Sequence, residues 1–212
     1  MSGAEFLAVI GGISAIISIA DKISDVYKTV QDVRGVPEAF SVVAGHLPIV
    51  KAILESAKHH IDEVKDEDVC REIQLIVKRC ETNAETLKTI FDEVKPSDGA
   101  WKVERYYKAV KAKGKGSKVE SLMAKILDDV RLLGLQHGMR AATEDQQKEV
   151  MSAIKELSEV MPSVPDSEFP EAGVTMKQSG SGTQQYTAQG NVYSSGGGKQ
   201  FNAERQYFGK ED

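Results

Sequence analysis

The sequence predicts an all-α fold, a bundle of five to six helices, followed by a tail of a different kind. Three observations predict it. Apolar residues recur at three- and four-residue spacing through residues 1–161. Ahead of residue 180 no segment alternates convincingly with the period of two that marks a half-buried strand. Composition then changes: Pro162, Pro165 and Pro170 fall close together, and from Gly173 the chain is rich in Gly, Gln, Ser and Asn. The bundle is therefore expected at 1–161, a stiff, extended Pro-rich linker at 162–172 and a tail at 173–212.

The first helix is expected from about Ala4 to Val33, stopped by Gly35-Val36-Pro37. Pro37 suits the first position of helix two, where its missing N–H costs nothing. Gly45 and Pro48 predict a kink or break in that helix, with Ile49, Ile53, Ala57 and Ile61 as the stripe of its second half. Helix three is expected over about Asp66–Val94, burying Val69, Ile73, Ile76, Val77, Cys80, Ala84, Leu87, Ile90 and Phe91. A short fourth helix, Trp101–Ala112, turns Val103, Tyr106, Tyr107 and Val110 inward, and Lys113-Gly114-Lys115-Gly116 is read as a loop. Helix five starts near Ser117 and buries Val119, Leu122, Ile126, Val130 and Leu133. Thr143-Glu144-Asp145-Gln146 has the form of a capping box opening a last helix that carries Val150, Ile154 and Leu157.

Composition narrows the function classes. The 212 residues are 41% hydrophobic and 28% charged, with net charge −5. That is enough chain for an ordinary core without staples. Its acidic balance argues against nucleic acid as a partner. Cys70 and Cys80, ten apart on one helix, would sit about 15 Å apart, too far for a disulfide. Free thiols, and no basic residue ahead of the first apolar run, lead to the expectation of a cytoplasmic chain at rest. No enzyme site emerges and no cofactor or metal is implied. His46, His59, His60 and His137 form no zinc motif, and Gly114-Lys115-Gly116-Ser117 follows a helix where a phosphate loop follows a strand.

Three segments carry the functional argument. From Phe6 to Ala20 the first helix has no charge. Phe6, Ile10, Ile13 and Ile17 line one stripe; Val9, Ile13, Ile16 and Ile23 line its neighbour; Ala4, Ala8, Gly11, Ala15 and Ser18 make a third, of small residues. Two readings fit: a central helix buried on all sides, or a helix covered at rest that enters lipid when released. Fifteen apolar residues fall short of the roughly 20 that span a bilayer, so the second reading needs several copies associating along the small stripe. The candidate insertion residues are Glu5, Phe6, Leu7, Val9, Ile10, Ile13, Ile16 and Ile17, with Glu5 at the leading end. Replacing Ile10 or Ile13 with Asp is the corresponding test.

The second segment holds Lys102, Arg105, Lys108, Lys111, Lys113, Lys115 and Lys118 against one acid, Glu104. Clusters of this size attract anionic headgroups; a solvated helix face is the plainer reading. The third is the tail. Gln185-Tyr186-Thr187-Ala188 recurs as Gln200-Phe201-Asn202-Ala203, and Gly182-x-Gln184 as Gly198-x-Gln200. Between the copies lie Gly190, Asn191, Val192 and Tyr193. So few aliphatics cannot offset ordering entropy in a lone chain, so disorder is expected until copies stack, when Gln and Asn ladders and stacked rings hold them.

The layout then resembles fungal cell-death executioners. AEFLAVIGGISAIISIADKISDVYKTVQDVRGVPEAF is similar to the start of HeLo-like, SesA-type domains. GGGKQFNAERQ resembles the fungal amyloid signalling motifs, chiefly the one related to the RHIM of animal necroptosis, although the apolar–Gln–apolar–Gly signature of the animal motif is absent as such. The resemblance implies a mechanism. An NLR-type receptor with a matching motif seeds the tail as amyloid, the bundles self-associate, and the first helix enters plasma-membrane lipid to kill the cell. The alternative is a helical adaptor whose tail polymerises a scaffold without touching membrane.

Overall fold

The computed structural model describes residues 3–31, 35–64, 66–94, 103–136, 141–169, 175–178, 184–188 and 191–195. The chain forms two compact units, residues 1–169 and 170–212.

The first unit is the helical bundle. Its helices are α1 (Gly3–Val30), α2 (Glu38–His60), α3 (Glu67–Val94), α4 (Val103–Lys113), α5 (Val119–Leu135) and α6 (Glu144–Glu159). Helix α5 is the hub, packed against α2, α3 and α6; α1 lies at the margin against α2 and α3, and α4 packs on α3. The sequence stripes of α3 and α5 are the core faces: Ile73, Ile76, Val77, Cys80, Ala84, Leu87, Ile90 and Phe91 meet Val119, Leu122, Ile126, Val130 and Leu133 in one cluster. Phe40 joins them, with ring centroids 4.8 Å from Phe91 and 5.0 Å from Tyr106. Both cysteines are free and buried. Burial pushes the Cys80 thiol well above its ordinary range.

Local chemistry sets the boundaries. Gly35 turns the chain at φ +92°, which only glycine adopts freely. Pro37 is the N-cap of α2, one position before its expected place as first helical residue. The predicted capping box is present: the Gln146 amide N–H donates to Thr143 Oγ1 at 3.2 Å, and the Thr143 N–H donates to Gln146 Oε1 at 2.9 Å. Across the α3–α5 contact, Arg79 Nε donates to Asp129 Oδ1 at 2.6 Å. Burial pushes the Asp129 carboxyl above its ordinary range, against the pull of Arg79.

Two expectations are corrected here. Of the kink or break expected in α2, the break does not occur: the helix runs through Pro48. Pro48 is exposed, while Leu47, Ile49 and Val50 beside it are buried, so core packing on both sides carries the helix across the missing hydrogen bond. The stretch expected as an extended linker, 162–172, is divided. Residues 162–169 belong to the bundle, where Val164 and Phe169 bury apolar side chains and Ser163 is also buried. Only from Pro170 does the second unit begin.

Among its described residues the second unit has three short antiparallel strands in the order β1-β2-β3: β1 (Thr175–Gln178), β2 (Gln184–Ala188) and β3 (Asn191–Ser195). Thr175 pairs with Thr187, and Tyr186 pairs with both Met176 and Tyr193. β1 thus lies ahead of residue 180, where four residues without clear alternation gave no strand signal.

Candidate functional site

Helix α1 has two faces. Val9, Ile13, Ile16 and Ile23 are buried on the side packed against α2 and α3, so of the two overlapping apolar stripes the second is the core face. The approach to α3 is close at Gly12, where a Cβ would lie 2.6 Å from Val77 Cγ1. The other face is apolar too and is not covered by the bundle. Leu7 is 67% exposed, Ala8, Gly11 and Ser18 are exposed, and Phe6, Ile10 and Ile17 are half-buried. Of the two readings left open for this helix, burial on all sides does not hold: Ala8, Gly11 and Ser18 of the small-residue stripe are exposed and Ala15 is half-buried. Ile13 is fully buried, so Ile13→Asp would unfold the bundle rather than test the outer face, and Leu7 is the cleaner position. The side chain of Glu5 lies outside the described residues.

By length and composition α1 is apolar enough to cross a membrane: Phe6–Val30 reaches a mean hydropathy of 1.9 over 18 residues, a window 39% buried. Helix α2 passes the same test with a mean hydropathy of 1.3. The sequence reading missed α2 because Pro48 split it into two short pieces.

The basic segment runs along the whole of α4, through a 3-10 turn at Lys115–Ser117, to Lys118, the N-cap of α5. Gly114, at φ +91°, lets the chain reverse, and Ser117 Oγ donates to the Val110 and Gly114 carbonyls at 3.1 and 2.6 Å. Lys102 lies outside the described residues. Arg105, Lys108 and Lys113 are exposed on α4. The other three converge on the 162–169 segment, here called the strap. Lys115 and Lys118 each pair with one oxygen of Asp166, and Lys111 pairs with Glu168. The Lys118 side chain is only 6% exposed, and its ammonium also sits 5.4 Å from the centre of the Phe169 ring. The two lysines hold the Asp166 carboxyl below its ordinary range. Lys125, which the sequence reading did not single out, adds a cation by donating to the Gly116 carbonyl at 3.0 Å.

A buried polar cluster anchors the strap. Ser163 donates from N to Glu120 Oε1 at 3.2 Å and from Oγ to Glu120 Oε2 at 2.5 Å. Having committed its proton to Glu120, Ser163 Oγ accepts from the Tyr106 hydroxyl. Burial pushes the Tyr106 phenol up, so it stays protonated. No local signal announced this: Ser163 and Tyr106 are 57 residues apart in sequence.

In the tail, β2 holds Gln184, Gln185 and Tyr186, and β3 holds Asn191, Val192 and Tyr193. Gly182, Gly190, Gly198, Gln200, Phe201 and Asn202 lie outside the described residues. Among the described residues no cluster of His, Cys, Asp and Glu is arranged to hold a metal ion.

One family model matches the chain over residues 13–133, spanning α1 to α5: SesA, the N-terminal domain on NACHT_NTPase and P-loop NTPases. No curated protein and no solved structure matches it.

Proposed function

From the premise that this chain belongs to the SesA N-terminal domain family, whose domains sit on NACHT and P-loop NTPases, we propose that it executes NLR-linked cell-death signalling by permeabilising a membrane. At rest it is cytoplasmic. An NLR-type receptor with a matching motif templates the tail around Gly182–Phe208 as amyloid. The tethered bundles reach an effective concentration of roughly millimolar. Helix α1 then leaves α2 and α3 and enters plasma-membrane lipid. The reading is non-enzymatic.

The observation that carries it is the outer face of α1. A helix with an apolar window 39% buried already presents Leu7, Ala8, Gly11 and Ser18 outward, and its packing partners are α2 and α3, so its release would have to break those two contacts. Strand β2, which holds one copy of the repeated motif, supports the templating step. The test is dye release from anionic liposomes by the full chain, with and without preformed fibres of a 173–212 peptide. Seed-dependent leakage, lost in Leu7→Asp while fibre recruitment persists, is the expected result. Recruitment without leakage would overturn the membrane step and leave a helical adaptor.

A further inference from the structure

We propose that Lys111, Lys115 and Lys118 form a site for anionic lipid headgroups, and that the strap keeps it closed with its own carboxylates until the tail is engaged. The inference rests on the membrane reading above and adds its regulation. Three ammonium groups drawn from α4, the 3-10 turn and the start of α5 meet carboxylate oxygens of Asp166 and Glu168. Charge-assisted contacts of the same kind are what a phosphate or carboxylate headgroup would receive there. Lys118 matters most: beneath Asp166 and Phe169 its ammonium is hidden, and only removal of the strap presents it.

The strap is also placed to respond. Its near end is fastened by Ser163 on Glu120 and by buried Val164. Its far end is Phe169, and Pro170 directly after it opens the second unit. Along the chain Phe169 is the strap residue nearest the second unit, so a pull from the tail reaches it before the rest of the strap. The ion pairs at that end are exposed on the acid side, Asp166 being 57% and Glu168 42% exposed, and exposed pairs are weak enough to exchange for a membrane surface.

The experiment is co-sedimentation of the full chain with vesicles of phosphatidylcholine alone or with 30% phosphatidylserine. Asp166→Asn with Glu168→Gln is expected to raise binding to the anionic vesicles about tenfold or more, with no gain on neutral ones. Adding Lys111→Glu and Lys115→Glu is expected to abolish the gain. Phe169→Ala, which loosens the strap without changing charge, is expected to give a gain of the same sign, and far-UV circular dichroism checks that each variant stays helical. Equal binding by the wild type and the helical Asp166/Glu168 variant would overturn the proposal. A gain that survives the lysine reversals would overturn it too, as would capture of inorganic pyrophosphate in solution without vesicle binding. Strap variants that bind but never leak sink the permeabilisation reading alone; seeded leakage with unchanged strap-variant binding sinks the strap alone.

Discussion

Adjacent glycines on α1 make opposite predictions. Gly11 faces outward with nothing within 4 Å of an added Cβ, whereas at Gly12 the added Cβ would lie 2.6 Å from Val77 Cγ1. Ordinary contact begins near 3.4 Å, so α1 and α3 would have to part by about 0.8 Å, the difference of those two distances. Val77 is buried and β-branched, so it has little freedom to turn its methyl aside. Both substitutions to Ala gain the same helix propensity, about 0.5–1 kcal/mol. The difference between the two variants therefore isolates the close approach, about 1–3 kcal/mol for overpacking. At about 2–4 °C per kcal/mol for a chain of this size, Gly11→Ala should melt about 2–12 °C above Gly12→Ala. Thermal and urea unfolding of the full chain, followed by circular dichroism, reads the difference. Equal stability of the two variants would refute the docking of α1 on α3 at Gly12. If α1 release is the active step, Gly12→Ala should also leak liposomes at a lower dose of fibre seed than Gly11→Ala.

Other consequences follow from single contacts. Thr143→Ala removes the capping box of α6 and should cost about 1 kcal/mol in urea unfolding. Arg79→Ala leaves the Asp129 carboxylate, 3% exposed, without its cation; since Arg79 itself is 57% exposed, the loss should be about 1–3 kcal/mol. The Asp129 carboxyl is already raised, so its folded form holds the proton more tightly than the unfolded chain, a contribution present at low pH and lost as pH rises through the folded value. The Arg79→Ala defect should therefore be smaller at pH 5 than at pH 8. Asp166 has the opposite sign: its lowered carboxyl pKa favours strap docking above the unfolded value of about 3.9, and that support is lost as pH falls through the folded value. Hydrogen exchange at the Phe169 amide, which donates to the Asp166 carbonyl at 3.1 Å, should stay protected at pH 5 and lose protection progressively as pH falls from about 3.9 through the lower folded value. Protection unchanged after the Asp166 carboxyl has protonated, followed by its carboxyl NMR shift in the same titration, would show that the strap is held by packing alone.

What the sequence made legible is what repeats locally. The Ile73–Cys80–Leu87 spacing marks the buried face of α3, and Thr143 with Gln146 marks the start of α6, because each signal lies within one or two turns of helix. Helix α1 was legible as apolar but not as oriented: with apolar residues on every side, periodicity does not say which stripe meets α3. Burial of Val9, Ile13 and Ile16, and exposure of Leu7, are tertiary facts. Pro48 was read by its local cost, which the packing of Ile49 and Val50 outweighs. The strap was illegible for a related reason. Proline-dense composition spoke for an extended linker, while its partners, Glu120, Lys118 and Lys111, lie 43 to 57 residues away.

The marginal position of α1 also bears on how the chain is made. The residue that Gly12 packs against, Val77, is encoded 65 positions after it, an interval read directly from the sequence. At 5–20 residues per second, the ribosome delivers that partner about 3–13 s after the helix it must cover. During those seconds the charge-free stretch from Phe6 to Ala20 has no α3 to rest on. Chaperones, lipid and sister nascent chains all compete for it in that interval. Slowing translation between α2 and α3 should therefore raise aggregation or membrane capture of newly made protein, even though the finished fold is unchanged.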